Sequence, residues 1–175
     1  MARQSRRVPP PTFLLTRPAA QSDRFAEQLQ ARFGPGIRIV SSPLLVPRFL
    51  SVALPDGGWR GVIFTSETGV AAFRRLSAGR GMPAWCVGDR TTHAATLAGF
   101  DARSADGDAY DLLALLVASG VTGPLLHAHG RDVANLLSDS LNSAGIETIE
   151  AVIYAQEPQS LIPRRRRCWR PPRQL

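Results

Sequence analysis

The 175 residues, 44% of them apolar, provide for one or two small domains with a core. The formal charge of +7 is unevenly placed: six of the 21 basic residues lie between Pro163 and Leu175, which leaves 15 against the 14 acidic ones. That near-balance excludes a nucleic-acid surface spread over the body, and the absence of any lysine excludes both a Schiff-base lysine and a Walker-type phosphate grip.

Residues 1–11 carry Arg and Ser without an apolar core, so they read as a disordered leader and not a secretory signal. Phe13-Leu14-Leu15 predicts a short strand ending at Thr16-Arg17-Pro18. Helical spacing follows through Phe25, Leu29 and Phe33 until Gly34-Pro35-Gly36, and Ile37 to Val40 predicts a second strand. From Ser41 to Gly58 three prolines alternate with apolar pairs, the pattern of an extended linker that packs part of itself. Val62-Ile63-Phe64 is too short for a helix and too apolar for an exposed strand, so a buried strand is expected. A helix follows through Val70, Ala71, Phe73 and Leu76, which places Thr65 and Ser66 at a strand-to-helix corner.

The pattern repeats. Ala84 to Val87 predicts a strand, Gly88-Asp89-Arg90-Thr91 a corner, and Ala94 to Ala98 a helix ended by Gly99. Asp101 to Ser104 predicts a short strand, and Asp108 caps a leucine-rich helix. Leu125 to His129 predicts a strand ending at Gly130-Arg131, followed by a helix through Val133, Leu136, Leu137 and Leu141. Ile146 to Tyr154 reads as one strand or two short ones. Strand and helix alternating through short turns predict an α/β fold with a parallel sheet.

Cys86 sits in an apolar run and Cys168 in the tail, so no disulfide framework is expected and a reduced, cytoplasmic setting fits. No stretch approaches the length of a membrane span. Residues 161–175 (LIPRRRRCWRPPRQL) have no periodicity. They read either as a basic arm for nucleic acid or, preferably, as the product of a reading-frame slip near Pro163 in an arginine-rich gene.

Four predicted strand ends collect hydroxyls or guanidinium groups: Thr16-Arg17, Thr65-Ser66, Gly88 to Thr91, and Gly130-Arg131. Any one of them reads as ordinary helix capping; four together favour an anionic ligand held by helix-start N–H groups and Arg. His127 and His129 share one face of their strand, but the local sequence supplies no third ligand, and no metal is expected. His93 falls in a helix, on its surface. Glu147 and Glu150, three apart, would face opposite ways on a strand. Hydrolase elbow, Walker and dinucleotide signatures are absent. Tyr154 closes an apolar run, where a phenol can bury its ring or offer its hydroxyl to a ligand.

In order, LLTRP, VIFTSETGV, WCVGDRTTHAATLAGF, LLHAHGRDVANLLSDSLNSAGI and EAVIYAQEP resemble the bacterial uroporphyrinogen-III synthases over Phe13 to Pro158. That resemblance implies two flavodoxin-like domains joined by a two-stranded linker, the second inserted into the first. Residues 12–40 would begin the split domain, 41–57 form the linker, 58–150 make the complete inserted domain, and 151–160 return. It also implies a cyclising lyase of tetrapyrrole (heme) biosynthesis, monomeric and cytoplasmic, using no cofactor, with neither nucleic acid nor membrane as partner. The family's substrate is hydroxymethylbilane, a linear tetrapyrrole with eight carboxylates, closed to uroporphyrinogen III with loss of water and inversion of the last ring. By the same resemblance Tyr154 is the proton donor to the departing hydroxyl. Arg17, Thr65, Ser66, Gly88, Thr91, Gly130 and Arg131 are then substrate contacts. Family members run longer, which implies little or no turnover for the 175 residues alone. Two other readings compete: a non-catalytic flavodoxin-like anion-binding module, and nucleic-acid binding through the Arg tail, which would vanish on deleting Pro163–Leu175.

Overall fold

The computed structural model describes residues 9–56, 58–77, 81–132 and 136–161. Most of the expected leader, Val133 and the arginine-rich tail lie outside the described residues. The chain divides into two compact units, one made of 1–46 with 157–175 and the other of 47–156.

In the first unit, strand β1 (Thr12–Leu15) pairs in parallel with β2 (Arg38–Ser41), and helix α1 (Ala19–Phe33) connects them. Leu15 and Leu29 are its buried apolar residues, whereas Phe33 is half exposed and stacks on Phe13 with ring centroids 6.2 Å apart.

The second unit is built around β4 (Val62–Phe64), whose three residues are wholly buried. Such burial follows from its seat in the middle of a six-stranded sheet, between β5 (Pro83–Cys86) and β7 (Leu125–Gly130). Beyond β5 lies β6 (Asp101–Ser104), and beyond β7 lies β8 (Thr148–Pro158). Next to β8, β3 (Leu45–Phe49) forms the other edge, where the Leu50 N–H donates to the Ile153 carbonyl at 2.9 Å. The β4–β5, β5–β6, β4–β7 and β7–β8 pairs are all parallel. From β4 the chain therefore winds outward to β5 and β6, then crosses back to β7 on the opposite flank. The order reverses between β4 and β7, where open parallel sheets leave a crevice at the strands' carboxyl ends. β8 runs unbroken from Thr148 to Pro158, so the predicted final segment is one strand, not two.

Alternation along β4 divides the core between the sheet's two faces. Val62 and Phe64 pack with Val70 and Phe73 of α2 (Glu67–Leu76) and with Ala95 of α3 (Asp89–Leu97). Ile63 faces Leu112 and Leu116 of α4 (Ala109–Ala118) and Leu141 of α5 (Leu136–Ser143). On the first face Phe64, Phe73 and Phe100 form a ring trio with centroids 5.4–5.8 Å apart, and Trp59 meets Phe73 edge-on at 6.0 Å. The helix starts are fixed locally. Asp108 Oδ1 accepts from the N–H groups of Tyr110 and Asp111, and Asp111 Oδ2 accepts from the Asp108 N–H, a reciprocal capping box. Gly99 follows α3 with φ of 91°, the left-handed geometry that its place after the helix predicts. Among the described residues no helix is long and apolar enough to cross a membrane.

Cys86 is a free, fully buried thiol, and burial pushes it up to about 11 against a hydrogen bond from Thr92 that acts the other way. With Cys168 replaced by Ser, the native chain is expected to resist iodoacetamide at pH 8 and to take one label per molecule in urea. Native-state labelling as fast as that of a free thiol would contradict this burial.

Candidate functional site

The carboxyl ends of the parallel strands bring most of the predicted corner residues of the second unit to one rim of its sheet. After β4, Ser66 is the N-cap of α2: its Oγ accepts from the Gly69 N–H at 3.0 Å. The same Oγ lies 3.0 Å from the Tyr154 hydroxyl, which arrives from β8, 88 residues later. Tyr154 is 5% exposed, so its ring is buried and its hydroxyl partnered. Between the two strands stands Gly130, paired in register with Tyr154 just past an irregularity after His129. A Cβ built on Gly130 would fall 2.6 Å from two carbons of the Tyr154 ring and 3.0 Å from its hydroxyl oxygen. Only glycine leaves the phenol room to reach Ser66. The Arg131 N–H then donates to the Tyr154 carbonyl at 2.9 Å, tying the end of β7 to β8. Ser66, Gly130, Arg131 and Tyr154 thus form one cluster at the point where the strand order reverses.

On the sheet's other face a cavity of about 380 Å³ opens, lined by Thr65, Val87, Tyr110, Leu113, His127 and Leu137 among others. Consecutive residues Thr65 and Ser66 therefore serve different places: the first lines this hollow and the second caps α2 against Tyr154. Gly88 is the N-cap of α3, and a Cβ there would meet nothing within 4 Å, so space is open before that helix. Thr91, by contrast, is 7% exposed inside α3 and is not among the cavity's lining residues. At this corner it is Thr92 that bonds the Gly88 carbonyl, through its hydroxyl at 3.1 Å. Arg17 belongs to the first unit, where its guanidinium lies over the Phe25 ring and its carbonyl accepts from the Ser22 hydroxyl.

Sequence spacing found no third partner for the two histidines, yet β8 supplies one. Glu150 sits in register with His127, and its Oε1 is 3.9 Å from His127 Nδ1 and 3.9 Å from His129 Nε2. The imidazoles stack with centroids 4.6 Å apart. Burial, with His129 alongside, pushes His127 down to about 3, so its ring is neutral at ordinary pH. Residue order could not reveal Glu150, because which strand lies beside β7 depends on topology. A faint signal existed: an acid on the next predicted strand, in a chain with few buried charges. His93 is exposed on α3, as its position in the helix predicts.

Comparison with known proteins gives a consistent result. Residues 23–167 match the model of a family described as uroporphyrinogen-III synthase HemD. A mutant uroporphyrinogen III synthase from the extremely thermophilic bacterium Thermus thermophilus is similar in fold, with a TM-score of 0.54 and 15% identity over 85% of this chain and 64% of that one. The uroporphyrinogen-III synthetase of Helicobacter pylori gives a TM-score of 0.54 and 16% identity over 82% of this chain and 66% of that one. The chain thus spans just under two thirds of the length of these structures. No curated protein matches.

Proposed function

The chain belongs to the uroporphyrinogen-III synthase family, and from that premise we propose that it contributes to cyclising hydroxymethylbilane to uroporphyrinogen III, the hydro-lyase step of tetrapyrrole formation. The observation that carries this reading is the Ser66–Tyr154 hydroxyl pair at the reversal of strand order, with Gly130 clearing the space. Losing hydroxide from the substrate leaves a cationic azafulvene, and closure at the substituted carbon gives a spiro intermediate. A site that holds the chain folded and manages charge is enough for this.

Tyr154 is the proposed proton donor to the leaving hydroxyl. When Ser66 donates to the phenol oxygen, the phenolic proton is free for the leaving hydroxyl, which departs as water. The phenolate, held by the Ser66 hydroxyl, takes back the proton that the substrate loses from carbon when the new bond closes the ring. The N-terminal N–H groups of α2 and of α3, that of Thr91 among them, with Thr65, Gly88, Gly130 and Arg131, are the proposed contacts for substrate carboxylates. Arg17 is a further proposed guanidinium donor. We assign residues 12–40 to the start of the family's split domain and residues 58–150 to its inserted one. Leu44 to Leu50 and Ala151 to Gln156 are then the linker strands. A monomer in the cytoplasm fits the reading, the latter supported by the free thiol of Cys86.

The test is to titrate the chain with hydroxymethylbilane and to separate the oxidised products for the type-III isomer. Saturable binding that weakens with salt is expected. Tyr154→Phe, introduced into a chain extended to the length of the related structures, is expected to keep that binding and to lower type-III formation by about 10²-fold or more. Unchanged turnover in the variant takes the phenol out of the proton transfer; absence of binding by the unaltered chain overturns the whole reading.

A further inference from the structure

We propose that His127, His129 and Glu150 form a site for one divalent ion of the zinc class, independent of the tetrapyrrole reading. One nitrogen from each imidazole and one Glu150 oxygen lie within 4.8 Å of one another, and this grouping brings together neighbouring strands of the sheet. His127 Nε2, His129 Nε2 and Glu150 Oε1 are buried and have no hydrogen-bond partner. Buried polar atoms are nearly always satisfied, so the orphaned His129 Nε2 and Glu150 Oε1, 3.9 Å apart with His127 Nδ1 equally near the same oxygen, leave a gap that an ion between them would fill. At 3.9 Å neither the His129 Nε2–Glu150 Oε1 approach nor the His127 Nδ1–Glu150 Oε1 approach is a hydrogen bond.

The orientation of the His129 ring is already set. His129 Nδ1 lies 2.8 Å from the Gly130 carbonyl, which can only accept, so Nδ1 carries the proton and the Nε2 lone pair faces inward. His127 is fixed by the Ser138 hydroxyl of α5, 2.9 Å from its Nδ1. His129 is 2% exposed and His127 wholly buried, while the Glu150 side chain is 32% exposed and opens a path for the ion. Two imidazoles and a carboxylate are a borderline donor set that suits Zn²⁺. Bonds of about 2.0–2.2 Å would need the ligand atoms to draw in by roughly 1 Å, within reach of a turn of the Glu150 carboxylate. Among the described residues no fourth His, Cys, Asp or Glu joins the group, which leaves one coordination position for water.

Co²⁺ reports the site directly. The purified full chain is expected to take one equivalent with a visible d–d band that Zn²⁺ displaces, and Zn²⁺ is expected to raise its melting temperature. Glu150→Gln and His129→Ala are each expected to weaken binding at least tenfold. His93→Ala, which removes an exposed imidazole, is expected to leave it unchanged. Should the site variants fail to fold, X-ray absorption of the zinc-loaded unaltered chain decides, with two imidazoles and a carboxylate expected. No stoichiometric band, binding that survives both site substitutions, or a coordination sphere lacking two imidazoles would overturn the assignment.

Discussion

Gly130→Ala is expected to cost about 1–3 kcal/mol of stability, the range for overpacking, and to break the Ser66–Tyr154 pair. The new methyl would sit 2.6 Å from ring carbons of Tyr154, and neither partner can yield easily. Gly130 is held in register opposite Tyr154, and the Arg131 N–H pins the Tyr154 carbonyl from the same turn. The ring in turn lies in the cluster that contains Phe64, Ala128 and Ile153. Relief therefore comes by ejecting the phenol, and the Ser66 hydroxyl loses its partner. Urea midpoints give the cost, and a double-mutant cycle gives its source. In a Tyr154→Ala background the same methyl finds open space, so a coupling of about 1–3 kcal/mol is expected. Equal costs in the two backgrounds would falsify the steric account.

Phe73→Ala is expected to be more damaging, by about 3–5 kcal/mol. Phe73 is wholly buried and meets three other rings, those of Trp59, Phe64 and Phe100, so its loss opens a cavity bounded by α2, the centre of the sheet and the segment after α3. The aromatic edges lose their partners as well as their contact area. Against a typical total of about 5–15 kcal/mol, such a loss leaves the unit marginal. Phe73→Leu keeps much of the volume and is expected to lose less than half as much. Calorimetric or urea unfolding of the three proteins checks the ranking; a Phe73→Ala midpoint within error of the unaltered chain would contradict the trio's role.

What the sequence made legible were the local units. Val62 to Phe64 read as a buried strand because no polar residue interrupts it, and in the structure it is the sheet's centre. Asp108, Gly99 and Ser66 read as helix punctuation because capping is a matter of a few consecutive residues. The tyrosine was visible, but its two possible uses were not separable until Ser66 and Gly130 appeared beside it. Glu150 was missed outright. Its partners lie more than twenty residues away, and the pairing of β8 with β7 is settled by packing across the whole sheet. Thr91 shows the same limit in reverse: a hydroxyl at the right place along the chain faces inward when the helix is laid on its sheet.

The central seat of β4 also sets an order of events during synthesis. Its partner on one flank ends at Gly130, and the hydroxyl that meets Ser66 belongs to residue 154. At a ribosomal pace of about 5–20 residues per second, Ser66 waits roughly 4–18 s for the 88 residues that separate it from Tyr154. Until Gly130 has been made the nascent chain carries an apolar strand with a vacant side, and the rim chemistry comes into being only after Tyr154 has followed.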